Sequence, residues 1–314
     1  MNLHRMGLVA LALALFGAGP ARAADPPVCA EVRFADIGWT DITATTSVAT
    51  VVLEGLGYRP TSQMLSIPIT YASLKAGEID VFLGDWQPSL KADRQPFLDD
   101  GSVEVIAENL HGAKYTLAVP SYLAEAGLKD FADIARFKDQ LGGKIYGIEP
   151  GNDGNRIISQ LIAEDRFGLG GFELVESSEQ AMLAQVERNN RTRTPIVFLG
   201  WAPHPMNDRF AMTYLAGGDD WFGPNFGGAI VHTNVRAGYA DQCPNVGRFL
   251  RQLVFSLDLE NAIMGRILND GADAKVAARE WLAANPAAME PWLAGVTTLD
   301  GGLGKEAVLV HLGS

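Results

Sequence analysis

The chain has 314 residues, is 47% hydrophobic, and carries 25 Lys and Arg against 37 Asp and Glu for a formal net charge of −12. That acidity argues against nucleic acid or an anionic membrane surface as a partner and is compatible with a cationic ligand. The length is enough for two lobes with sizeable cores.

Residues 1–23 read as a cleaved export leader. His4 and Arg5 give a weakly basic start, Gly7 to Phe16 form an apolar run too short to span a bilayer, and Ala21-Arg22-Ala23 supplies a small-x-small cleavage pattern. Removing Arg5 and Arg22 takes the charge from −12 to −14. Cys29 follows Pro26-Pro27-Val28, which does not suit lipidation. The other cysteine is Cys243, and two cysteines in an exported chain are most simply a disulfide, with two buried free thiols as the alternative. A bridge would bring the mature N-terminus beside residue 243.

The pattern that follows is β/α throughout, so the fold class expected is α/β. Glu31 to Ile37 reads as a strand. A helix follows over 42–54, with Asp41 or Thr43 as N-cap and Gly55-Leu56-Gly57 as its stop. Strands are expected over 63–68 and 79–83, with a short helix over 70–76 between them. Val103 to Ala107 and Tyr115 to Val119 flank Glu108 to Gly112, a candidate crossing between lobes. Beyond it, 131–137 is helical, 144–148 is a strand opening into Glu149-Pro150-Gly151-Asn152, and helices are expected over 156–163 and 179–188. A strand over 195–199 leads to Trp201, and Leu215 to Gly218 is the candidate return crossing. Helices over 246–255, 260–268 and 272–284 complete the chain.

Three of these strands lead to a tryptophan: Gly38-Trp39-Thr40-Asp41, Phe82-Leu83-Gly84-Asp85-Trp86 and Phe198-Leu199-Gly200-Trp201. The last two are near-copies, which suggests two similar lobes. Each tryptophan lies just past its apolar run, where an open α/β sheet presents side chains to a ligand. Aromatic faces gathered there suit a desolvated organic cation. Trp221, Trp281 and Trp292 lack that placement and read as core.

These motifs, with Gly77 to Phe82 before Trp86, Trp201-Ala202-Pro203-His204, and the C-terminal Trp281 to Pro286 with Trp292, resemble the quaternary-amine substrate-binding proteins of ABC transporters over essentially the whole mature chain. The resemblance implies a two-lobe periplasmic binding protein of type II, each lobe a sheet flanked by helices, with the ligand cleft between lobes. Lobe 1 would comprise 24–110 and 216–314, and lobe 2 residues 111–215. It implies a monomer in the periplasm that hands choline or a related quaternary amine to an inner-membrane ABC permease, with no cofactor. The aromatic box would be Trp39, Trp86, Tyr115 and Trp201, with Asp41 and Asn152 on the hydroxyl of choline; Tyr115 rests on the resemblance alone. The paired Cys29 and Cys243 match as well. Acetylcholine, carnitine or glycine betaine are alternative ligands, and a sensory module is an alternative role.

Asp41 bears on that choice. Its carboxylate can accept a hydroxyl proton and attract an ammonium, whereas the carboxylate of glycine betaine would be repelled unless one of the two groups is protonated. His204 reads as a loop-stabilising hydrogen bonder and is not assigned to the ligand. An enzyme is not expected: His111, His204, His232 and His311 are scattered, and the chain has neither H-E-x-x-H nor G-x-S-x-G nor a phosphate-binding glycine loop.

Overall fold

The structure, a computed structural model, describes residues 25–313; the expected leader 1–23 lies outside the described residues. The strands are β1 (Glu31–Asp36), β2 (Arg59–Met64), β3 (Val81–Gln87), β4 (Val103–Pro120), β5 (Lys144–Tyr146), β6 (Glu173–Val175), β7 (Phe198–Ala202), β8 (Met212–Tyr214) and β9 (Gly228–Arg236). They form a single sheet in the order β2-β1-β3-β9-β4-β7-β5-β6, with β8 against β4.

The sheet has a near-symmetric plan. Two parallel groups, β2-β1-β3 and β6-β5-β7, stand on either side of an antiparallel pair, β9 and β4. Trp86 lies on the innermost strand of one group and Trp201 on the innermost strand of the other. The sequence echo between them is therefore an echo of position.

The expected strand ends need correction. Both strands continue through their tryptophan, because β9 and β4 hold their backbones by antiparallel pairing: Trp86 is opposite Val231, and Trp201 opposite Tyr115. The shared glycine makes room for side chains packed against the strand just before the tryptophan. A Cβ on Gly84 would stand 2.8 Å from Ile42, and one on Gly200 would stand 2.9 Å from Ala118. Residues 108–112 lie inside β4 as a bulged stretch of strand rather than a loop. The second strand occupies 59–64 rather than 63–68, and β9, at the centre of the sheet, falls where no element was expected.

The helices of nine residues or more are α1 (Thr40–Gly55), α2 (Ile67–Ala76), α3 (Lys91–Asp99), α4 (Asp153–Ala163), α5 (Glu179–Thr192), α6 (Pro244–Gln252), α7 (Leu257–Asp270), α8 (Ala274–Ala284) and α9 (Gly304–Leu312). Helix α1 is rich in Thr and Val, poor helix formers, yet it is buried on nearly every side, between strands β1 to β3 and helices α7, α8 and α9. Burial here outweighs propensity. Gly55 lets α9 cross it, since a Cβ there would lie 2.9 Å from the Val308 Cα.

Cys29 and Cys243 form a disulfide, which pins the N-terminal segment to the start of α6. Asp25 reinforces that junction, accepting from the Asn245 and Val246 amides at 2.7 and 3.0 Å. Among the described residues no helix is long and apolar enough to cross a membrane, and no group of three or more His, Cys, Asp or Glu could hold a metal ion.

Candidate functional site

The turn from β1 into α1 sets the first wall. Gly38 is left-handed, with φ +83°, and the Asp36 carboxylate takes the Gly38 amide at 2.8 Å and the Thr43 hydroxyl at 2.9 Å. The tight turn leaves Trp39 as the residue that caps α1. Asp41 is therefore at the second helical position and is not the N-cap, nor is Thr43; Trp39 offers no side-chain cap.

Trp39, Asp41, Trp86, Tyr115, Ile148 and Trp201 together line one cavity. Five of the six candidate ligand residues thus meet at one place. Tyr115 stands edge-on to both Trp86 and Trp201, with ring centroids 6.1 and 6.3 Å apart. Phe222 backs the Tyr115 ring at 5.9 Å.

The Tyr115 hydroxyl points away, donating to Asn152 Oδ1 at 2.9 Å. Asn152 caps α4, accepting the Asn155 amide at 3.1 Å, and its Nδ2 donates to Asp153. Asn152 does not line the cavity; it adjoins it through Tyr115 and borders a neighbouring cleft with Trp39 and Gly151. Gly154 leaves room for the tyrosine, as a Cβ there would lie 2.1 Å from the phenol oxygen.

The polar chemistry of the cavity centres on Asp41, which is 1% exposed. Its Oδ2 accepts the Trp86 indole N–H at 3.0 Å, and its Oδ1 is buried without a hydrogen-bond partner. A buried acceptor costs free energy unless a donor reaches it. Burial pushes the Asp41 pKa up to about 7, and the Glu179 carboxylate adds to the shift, while the Ile42 amide and the Trp86 N–H oppose it. Behind it the Glu260 carboxyl, on α7, is raised well above its usual range by burial and then by Asp41. Aromatic walls with one acidic acceptor and no facing Lys or Arg can hold a soft cation that carries a hydrogen-bond donor.

Sequence reasoning missed Ile148, Phe222 and Glu179. Ile148 obeys the same strand-end placement as the tryptophans and was legible on that ground. Glu179 follows Ser178, whose hydroxyl caps α5 by accepting the Ala181 amide, so it reads as an ordinary first-turn acid.

Several relatives share this arrangement of elements. The chain is 61% identical to an ABC-transporter choline binding protein solved with choline, covering 92% of this chain and all of that one, with a TM-score of 0.90. An ABC-transporter choline binding protein in an unliganded, semi-closed conformation overlays at 0.84, with 61% identity over 91% of this chain and all of that one. A lactococcal protein in closed form with glycine betaine is 25% identical, covers 83% of this chain and 98% of that one, and overlays at 0.75. A glycine betaine/carnitine transport binding protein of Listeria monocytogenes is 27% identical over 163 residues, 52% of this chain and 53% of that protein. The fold is thus that of the two-lobe, type II periplasmic binding proteins. The family model for the substrate-binding domain of ABC-type glycine betaine transport systems matches residues 30–284, and the chain belongs to that family.

Proposed function

We propose that the protein captures choline between its lobes, in the box formed by Trp39, Trp86, Tyr115 and Trp201, and presents it to an inner-membrane ABC permease from the periplasm. The observation that carries this reading is the unpartnered, buried Asp41 Oδ1 on the wall of an aromatic cavity. A trimethylammonium cannot donate an N–H bond, so ring faces and a nearby anion must hold it, at about 0.5 to 2 kcal/mol per ring. The handling of choline by aromatic cages is a general example of this interaction. The hydroxyl of choline supplies the donor that Oδ1 lacks, and Asn152 completes that end of the site through Tyr115 or directly through its second amide proton.

The lobes are proposed to be 24–110 with 216–314, and 111–215. β4 passes between them, and the 216–227 segment closes over Tyr115 through Phe222. The family is one of binding proteins for transport, and the same site performs no bond-making step in this reading.

Calorimetric titration at pH 8 tests the assignment. Choline is expected to bind in the micromolar range, about −8 kcal/mol, and glycine betaine at least about tenfold more weakly. Betaine binding as tight as choline, or tighter, would remove the role given to Asp41.

Gly154→Ala provides a second check, because alanine suits a helix but its Cβ would collide with the phenol of Tyr115. The ring must swing toward the cavity, so choline affinity is expected to fall about tenfold or more with the helix content intact by circular dichroism. Unchanged affinity would show that Tyr115 is not a wall of the ligand site.

A further inference from the structure

Helix α1 begins without a cap of its own, yet its first amide is not left unpaired. Glu179, which is fully buried at the start of α5, supplies the acceptor from the other side of the cleft. Its Oε2 takes the Thr40 amide at 2.9 Å, and its Oε1 takes the Thr40 hydroxyl at 2.7 Å. A carboxylate at a helix N-terminus also meets the positive end of the helix dipole.

The same Oε1 receives His204 Nε2 at 3.1 Å. His204 Nδ1 accepts the Met206 amide at 2.9 Å, which leaves the ring proton on Nε2 and fixes the direction of that bond. The imidazole stands edge-on to Trp201, with centroids 4.8 Å apart. Glu179 N in turn donates to Glu149 Oε1 at 2.8 Å. One carboxylate therefore joins the residue between Trp39 and Asp41 to the loop that follows Trp201. It ties together walls of the cavity that belong to opposite lobes, while lining none of it itself.

We propose that Glu179 is a closure latch, a positioning residue carried by lobe 2 that caps α1 of lobe 1 only when the lobes meet. The proposal rests on the two-lobe binding reading above and adds to it the contact that holds the closed form. A buried carboxylate with three donors is strong when assembled. Parted from Thr40, it returns to water and the α1 terminus is open. The latch therefore acts on how long the ligand stays rather than on how fast it arrives.

Stopped-flow choline binding, followed by tryptophan fluorescence on the full mature chain, compares wild type with Glu179→Gln, Thr40→Val and the double variant. Glu179→Gln is expected to raise the dissociation rate about 10- to 100-fold with the association rate within about threefold. Thr40→Val should raise it about fivefold, and the double variant should match Glu179→Gln alone because the two residues act as one contact. Circular dichroism of the ligand-free variants should match wild type, so that the kinetic change reports lobe opening and not unfolding. Dissociation rates unchanged in both single variants would overturn the latch, as would a fall in melting temperature with no kinetic change, or full additivity in the double variant. If wild type binds no quaternary amine, the functional reading fails by itself, and small-angle scattering then judges the latch. Both single variants are expected to have a larger radius of gyration than wild type, and equal radii would refute it.

Discussion

At pH 8, Asp41→Asn is expected to weaken choline binding about 100-fold while leaving the protein folded. Opposite unit charges about 4 Å apart at an effective dielectric near 20 attract by roughly 4 kcal/mol, and the retained amide oxygen offsets part of the loss. The size of this effect depends on pH, because the Asp41 pKa is pushed up to about 7 by burial and then by Glu179. A bound cation favours the ionised carboxylate, so choline binding releases a proton. Below pH 7 the wild-type affinity for choline should fall by up to about tenfold per pH unit, and the gap to Asp41→Asn should close.

Glycine betaine is expected to respond in the opposite direction. Its carboxylate meets Asp41 favourably only when that residue is protonated and can donate, so its binding takes up a proton and strengthens as the pH falls from 9 to 7. The preference for choline over betaine thereby narrows on acidification. Titrations of both ligands from pH 6 to 9 settle the matter: slopes of the same sign, or pH profiles that survive Asp41→Asn, would show that another group governs the site. Stability gives an independent sign. A carboxyl whose folded pKa lies above its unfolded value of 3.8 loses stability for the fold as pH rises between the two, and the loss is complete above 7. Ligand-free Asp41→Asn should therefore melt several degrees above wild type at pH 8.

Trp86→Ala is expected to cost about 100- to 1,000-fold in choline affinity, the second large effect. Two losses combine. The ring face is worth about 0.5 to 2 kcal/mol toward the ammonium. The indole N–H that holds Asp41 Oδ2 at 3.0 Å also disappears, which disfavours the ionised carboxylate. Trp86→Phe separates the two, because it keeps an aromatic face and loses the donor. Its affinity should fall only about tenfold, and the pH midpoint for choline binding should move upward. If Trp86→Ala binds choline within a few-fold of wild type, the ring is merely part of the sheet, and the cavity is not the ligand site.

The three-tryptophan pattern was readable because its cause is local. Each tryptophan follows a glycine within one or two residues at the close of an apolar run, near the edge of the sheet where ligands of open α/β folds bind, and Trp39, Trp86 and Trp201 do line one cavity. The helix stop at Gly55-Leu56-Gly57 was equally legible. β9 was not recognised, although Ile230 to Val235 has the β-branched residues and the glycine boundary of a strand. Its importance lies in its partners, β3 and β4, which come from distant parts of the chain.

By itself the sequence determined the α/β class and the three glycine–tryptophan segments with Asp41 beside the first, because each depends on residue types within a few positions of one another, whereas Tyr115 entered through the family resemblance. Tertiary structure alone decided three things: that Asp41 keeps one oxygen unpaired, that Tyr115 hands its hydroxyl to Asn152, and that α1 is capped by Glu179, 139 positions away from Thr40. The reason is physical. Which polar atom finds a partner, and what burial does to its charge, are settled by the groups that fold against it, and neighbours in space leave no periodicity in the chain.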